Sequence, residues 1–271
     1  MLRNLLFILL FAVSTTSCKQ EIEVEKRSLN STNVNSDCSE MGDVCWSKTF
    51  GGASADAINS IALNGNEIFL CGNTRNSYSV DGVAVDANTT NDEFFTAKCS
   101  GASCSVDWIN TAGKYEARSF CAGLGVDTGG NVYAGGTYYT NLNVGGGALG
   151  NSGDRDMAVV KYNNSGVHQW STSVGGTAGE ELNGLYITPG NDVLVSGFFR
   201  ATVDFGSGNI TTAGDSDAFV AKYNSAGTSQ FSSRYGLAQK DYFWDVASDG
   251  SNNIYATGEM IGNQLAFLSK T

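Results

Sequence analysis

An all-β propeller, most simply four blades of four antiparallel strands, is the architecture the sequence predicts, and three observations carry it. Markers recur with one period: Trp46, Trp108, Trp170 and Phe231 fall 62, 62 and 61 residues apart, and Lys98, Lys161 and Lys222 fall 63 and 61 apart. Short apolar runs alternate with turns rich in Gly, Asn and Asp, while helical periodicity is missing from the body of the chain. The chain ends are also complementary. A strand begins at Trp46 with no "AFVAKY"-like strand before it, and "LAFLSKT" (265–271) is such a strand with no Trp strand after it.

Taken in order, the chain opens with Arg3, an apolar run from Leu5 to Val13, and small residues leading to Cys18. A basic start, a short apolar core and a small-residue exit predict an export signal over 1–17, too short to span a bilayer. "STTSC" resembles the end of a bacterial lipoprotein signal, with Thr15 where that signal prefers Leu. The resemblance implies that Cys18 is lipidated and becomes the first residue. Residues 18–43 are polar, charged and aperiodic, which predicts a flexible tether. The folded part is expected over 44–271.

Each repeat there offers four strand candidates. In the third, "GLYIT", the turn "PGND", "VLVSGFF", a long loop, "AFVAKYN", the turn "SAG" and "TSQFSSRYG" follow one another. Tight turns of this chemistry join antiparallel neighbours, so the unit is a meander, the form of a propeller blade. Gly72, Gly136, Gly197 and Gly258 close the second strands at intervals of 64, 61 and 61. If 44–50 pairs with 265–271, the fourth blade is completed and two sheet edges vanish. A monomer is then expected, with a two-chain, eight-bladed ring as second choice.

"WSTSVGG", "GNDVLVSG", "VDFGSGNITTAGDSDAFVAKYNSAG" and "VDTGGNVYAGG" are similar to the SBBP-type β-propeller repeat of exported bacterial proteins. The likeness covers about 225 residues and is strongest in the second and third repeats. It implies an exported or cell-surface propeller and carries no reaction with it.

Composition limits the partners. Net charge is −11, and the 16 basic residues are scattered, so nucleic acid would be repelled. Beyond Cys18, six cysteines suit an oxidising compartment. Cys99 and Cys104 bracket a predicted turn and are the expected disulfide. The connectivity of Cys38, Cys45, Cys71 and Cys121 stays open. No zinc spacing occurs, and one histidine cannot complete a usual zinc set. No metal and no cofactor are therefore expected.

Candidate sites divide into those the repeats share and those they do not. The acids Asp92 and Glu93, Asp154 and Asp156, and Asp215 and Asp217 recur where a loop enters a strand. That register suits turn capping better than calcium. Lys98, Lys161, Lys222 and Lys270 recur too, which fits exposed strand positions rather than one catalytic lysine. The tryptophans read as packing, and His168, just past a turn, as exposed surface. The repeats disagree after the second strand, where "GNTRNSYS", "GGTYYTNL", "GFFRATVD" and "GEMIGNQL" stand in register. Arg75, Tyr78, Tyr138, Tyr139, Phe198, Phe199 and Arg200 gather there and form the candidate ligand-binding set. The interval from Lys222 to Lys270 is 48, against 61 before it, so the fourth blade lacks most of its long loop. In "KDYFWDVASDG", Tyr242, Phe243 and Trp244 replace smaller residues near the expected channel.

No catalytic set is found: no Gly-x-Ser-x-Gly elbow appears, and no carboxylate pair stands out. The expected function is a non-catalytic binding module at the outer membrane or cell surface, with a protein or glycan partner. A carboxylate-based polysaccharide hydrolase or lyase is the alternative, and a purely structural envelope lipoprotein is the second.

Overall fold

In the computed structural model, residues 46–87, 91–112 and 118–261 are described, with the backbone alone over 265–270. The export signal, Cys18, the tether, Cys38 and Cys45 lie outside the described residues. The chain divides into two units, Met1–Thr49 and Phe50–Thr271, and the sheets belong to the second.

The first sheet uses β1 (Ala57–Asn64) and β2 (Glu67–Thr74), then β3 (Tyr78–Val80) and β4 (Val83–Val85) as a separate hairpin, then β5 (Glu93–Ser100) and β6 (Ser105–Thr111). Its order is β1-β2-β5-β6, an antiparallel meander with the small hairpin in its long loop. The second repeats this with β7 (Ser119–Val126), β8 (Val132–Tyr138), the hairpin β9 (Leu142–Asn143) and β10 (Ala148–Leu149), β11 (Asp156–Tyr162) and β12 (His168–Val174). The third has β13 (Glu181–Ile187), β14 (Val193–Phe199), the hairpin β15 (Thr202–Asp204) and β16 (Asn209–Thr211), β17 (Asp217–Tyr223) and β18 (Ser229–Tyr235). The fourth has three strands, β19 (Asp241–Ser248), β20 (Ile254–Met260) and β21 (Leu265–Lys270). No hairpin intervenes among the described residues between β20 and β21, as the shortened interval predicted. Residues 46–50, expected as the fourth strand of this sheet, are in no strand.

The apolar core lies between sheets. One cluster joins Phe69 and Cys71 of the first to Leu124, Ala134 and Val160 of the second. Another joins Tyr133, Met157 and Val159 to Leu185, Val195 and Phe219 of the third. A further one joins Leu194 and Val220 to Phe243, Val246 and Ala256 of the fourth. Both faces of β8 and β14 are thereby covered, which is why they read as unbroken apolar runs rather than alternating ones.

Two repeated features have close-contact causes. On each inner strand the register slips by one residue, at Ile58/Ser60, Cys121/Gly123, Leu182/Gly184 and Phe243/Asp245. The bulge drives a carbonyl into the second strand. A Cβ on Gly136 would lie 1.8 Å from the Phe120 oxygen, and Gly72, Gly197 and Gly258 meet the equivalent oxygen at 1.8, 1.9 and 1.9 Å. Only glycine fits there, so this marker keeps its period. The Trp marker serves blade docking. The Trp108 indole N–H donates to Asn164 O at 3.0 Å and the Trp170 indole to Ser225 O at 3.1 Å, each in a turn of the next sheet. The rings lie on Gly166 and Gly227, both at positive φ.

Cys99 and Cys104 form the expected disulfide across their turn. Cys71 and Cys121 form a second one, joining β2 of the first sheet to β7 of the next. The lysine row differs from its expectation. Lys98 is buried and paired with Glu67 at 2.6 Å, while Lys222 reaches Asp192 at 2.7 Å and Lys161 donates to Ser225 O at 3.0 Å. Lys98 and Lys161 reach the turn of the next sheet, at Asn164 Oδ1 and Ser225 O, whereas Lys222 stays half-exposed beside Asp192 of its own sheet. His168 differs likewise: it is half-buried, edge-on to Tyr162 at 6.2 Å and under Gly146 of the long loop.

Candidate functional site

The four bulges place one extra residue per inner strand: Asn59, Ala122, Asn183 and Trp244. The Asn59 amide donates to Cys121 O and the Asn183 amide to Phe243 O, both at 2.8 Å, tying one inner strand to the next. Ala122 has no such group. Beside Asn59, Ala122 and Asn183 opens a shallow depression of about 300 Å³, walled by Phe120, Tyr139 and Glu181.

From this depression a row of arginines and rings runs across three sheets. Arg118 lies over Phe120 at 4.9 Å and over Tyr139 at 5.6 Å. Arg155 donates to the Tyr139 hydroxyl at 3.3 Å, pairs with Glu181 at 3.2 Å, and covers the Phe198 ring at 5.5 Å. Phe198 meets Tyr242 edge-on at 4.7 Å, and Tyr242 stacks on Trp244 at 5.7 Å with 20° between planes. Trp244 ends the row 52 % exposed. Cation–π and aromatic contacts of this kind hold large rings in fixed orientations. The Glu181 carboxylate and the Tyr139 hydroxyl are both engaged by Arg155.

Of the seven sequence-chosen residues, the structure brings Tyr139 and Phe198 into this row. Tyr139 is half-buried and Phe198 is buried at 5 % exposure beneath its neighbours in the row, while Tyr138 and Phe199 are fully buried on the other face of their strands. Strand alternation explains the split: Tyr138 and Phe199 share a register, opposite Asp156 and Asp217, and so turn into the sheet's own loop core. There the Tyr138 hydroxyl lies 2.7 Å from Gly150 O and 2.6 Å from Ser173 Oγ, and its acidity is suppressed, to about 12, by burial. Phe199 packs edge-on against Phe205 and Phe219. Arg75 pairs with Asp92 at 2.8 Å and Arg200 stands 3.9 Å from Asp215, each within its own sheet's loop. Tyr78 is half-buried in the β3–β4 hairpin. The reading of the sequence missed Arg118, Phe120, Arg155 and Glu181 as members. A common register would have found two of them, since Phe120, Glu181 and Tyr242 occupy one position on three inner strands.

Of the recurrent acids, Asp156 and Asp217 cap turns, as their register suggested, while Asp92 and Asp215 face Arg75 and Arg200. Ser152 N–H donates to Asp156 and Ala213 N–H to Asp217, both at 2.8 Å. Beside them, Glu180 is fully buried and its carboxyl is pushed up to about 7, chiefly by burial, with Gly176 N–H opposing and the Asp156 charge reinforcing. No group of three or more His, Cys, Asp or Glu side chains suited to a metal occurs among the described residues.

No family model matches the chain, and no curated protein does. Among solved structures, a protein of unknown function from Bacteroides caccae is similar at TM-score 0.38 and 10 % identity, over 65 % of this chain. The chain spans about half of that structure's length (53 %). The described residues form repeated antiparallel β-sheets stapled by two disulfides, a feature common among exported proteins.

Proposed function

We propose that the chain is an exported, lipid-anchored propeller of the SBBP type whose four blades close into one ring, and that its arginine–aromatic row binds a surface glycan without catalysis. The observation that carries the binding reading is the unbroken row from Arg118 to Trp244, ending in an exposed indole braced by Tyr242. A braced, flat ring offers an apolar platform for the carbon face of a sugar. Glu181, Tyr139 and Arg155 beside it supply hydroxyl-binding partners. The depression is shallow and open, which suits an extended chain lying across it.

A hydrolase or lyase needs two working carboxylates facing a cleft. Glu181 is held by Arg155, and Glu180 and Asp156 are sealed away from any substrate, so the geometry favours binding.

Ring closure draws on register. Trp108 stands opposite Lys98, Trp170 opposite Lys161 and Phe231 opposite Lys222, so Trp46 is the expected partner of Lys270. Trp46 would then dock on the Ser100–Cys104 turn as Trp108 and Trp170 dock on theirs. Phe231, at the same register, lacks an indole N–H. Ile61 and Leu63 on β1 are 37 and 58 % exposed, whereas Leu124, Leu185 and Val246 at the register of Ile61 are buried against the preceding sheet. Closure supplies the missing cover.

The binding claim is tested on a glycan array with the intact chain and with Trp244→Ala and Tyr139→Ala. Wild type should select a glycan that each variant binds at least tenfold more weakly, about 1.4 kcal/mol. Equal binding by folded Trp244→Ala sinks the claim, and capture of protein but no glycan points to the protein-partner reading.

A further inference from the structure

The blade junctions carry one carboxylate pattern with one exception. Ser119, Glu180 and Asp241 are equivalent, because their N–H groups donate to the carbonyls of Asp92, Arg155 and Ser216, the residues just before Glu93, Asp156 and Asp217. The first junction therefore pairs Glu93 with Ser119, one acid. The third pairs Asp217 with Asp241, two acids, and Arg234 adds a guanidinium 2.7 Å from Asp217. Each has the formal charge of one carboxylate. The second junction pairs Asp156 with Glu180 and has Ser173 at the register of Arg234, since Ala158 opposes Ser173 as Phe219 opposes Arg234. That serine is engaged by Tyr138.

Asp156 and Glu180 are both fully buried at the Gly175–Gly176 corner. A Cβ on Gly175 would fall 2.1 Å from the Asp156 carboxyl carbon, and Gly176 N–H donates to Glu180 at 3.0 Å. Asp156 Oδ1 and Glu180 Oε1 lack a close hydrogen-bond partner among the described residues, against Asp217 Oδ1 alone at the sister junction, and the Arg200 backbone N–H adds a further contact to the Glu180 carboxylate. The charged groups around them are committed or weakly placed. Arg155 is held by Glu181 and Tyr139, Arg200 lies towards Asp215, and Tyr138 adds only a neutral hydroxyl. The Arg155 charge offsets that of Glu180 only in part, and two buried like charges so weakly compensated do not both ionise.

We propose that Asp156 and Glu180 hold one proton between them, making the junction of the second and third sheets a buried proton-binding site. The proton takes the place Arg234 fills at the sister junction and gives one unpartnered oxygen a hydrogen to donate. Burial raises the Asp156 carboxyl and sets that of Glu180 at about 7. The folded value of Glu180 exceeds its ordinary 4.5, so the stabilisation is complete below about 4.5 and is lost as pH climbs through about 7. His168 acts with the opposite sign. Burial holds its pKa low, so its cost is felt in acid and relieved as pH rises.

Unfolding of the full chain at a series of pH values separates these contributions. Wild type should release about one more proton on unfolding near pH 6 than Glu180→Gln does, so the variant's stability should fall less between about pH 5 and 8. Asp241→Asn, at the junction with its own arginine, should keep the wild-type slope there. Infrared spectra of wild type give a reading that needs no variant: a buried protonated-carboxyl band present near pH 5.5 and gone by about pH 8. An unchanged slope in Glu180→Gln, or no such band in acid, overturns the proposal. So does a calcium-dependent stabilisation at about pH 8 that Glu180→Gln abolishes, because the pair would then be a metal site.

Discussion

At the residue scale, positions that repeat are explained by contacts that leave no choice. Gly136 is the clearest, with the Phe120 carbonyl pressed into the space a Cβ needs. Gly136→Ala should cost about 3 kcal/mol or more in chemical denaturation, because a backbone atom must move. A cost under about 1 kcal/mol would mean that the bulge is loosely held. The carboxylates show where the sequence spoke only in part. Their turn-capping role could be read from register, but their burial could not, since it arises when the next sheet's Glu180 or Asp241 is stacked against them. Tyr138 and Tyr139 make the same point: adjacent in sequence and alike in chemistry, they were separable only by strand alternation.

At the element scale, the third strands and outer strands were legible because their period is set by docking. Trp170 spans two sheets, its N–H meeting Ser225 O while its ring covers Gly227. Trp170→Phe keeps most of the packing and loses that bond, so a loss of about 1 kcal/mol is expected from denaturant unfolding. The Cys71–Cys121 bridge was not legible, because its partners sit on strands whose adjacency depends on how the sheets stack. It closes a sequence separation of 50 residues. Replacing both cysteines by serine should lower stability by about 4 kcal/mol, against less for the Cys99–Cys104 pair, whose loop is short. Equal losses from the two bridges would contradict the chain-entropy account. The row from Arg118 to Trp244 was half legible. Tyr139, Phe198, Tyr242 and Trp244 stood out as departures from the repeat, but Phe120 did not, and the arginines joining them come from loop ends with no shared motif.

At the scale of the whole molecule, the shared positions build a scaffold, and the divergent ones divide between the row through Tyr139 and Phe198 and the loop cores that hold Tyr138 and Phe199. The fourth sheet is where these two trends meet. Among the described residues it has no long-loop hairpin, and it exposes Trp244. In the proposed ring, residues 44–50 pair with the edge of β21 that does not face β20. Hydrogen exchange of β21 tests it most directly. If the ring is closed, backbone amides on both edges of 265–270 exchange slowly, and deleting residues 44–50 releases the edge that does not face β20. If that edge already exchanges freely in the intact, monomeric chain, the four repeats do not close on themselves.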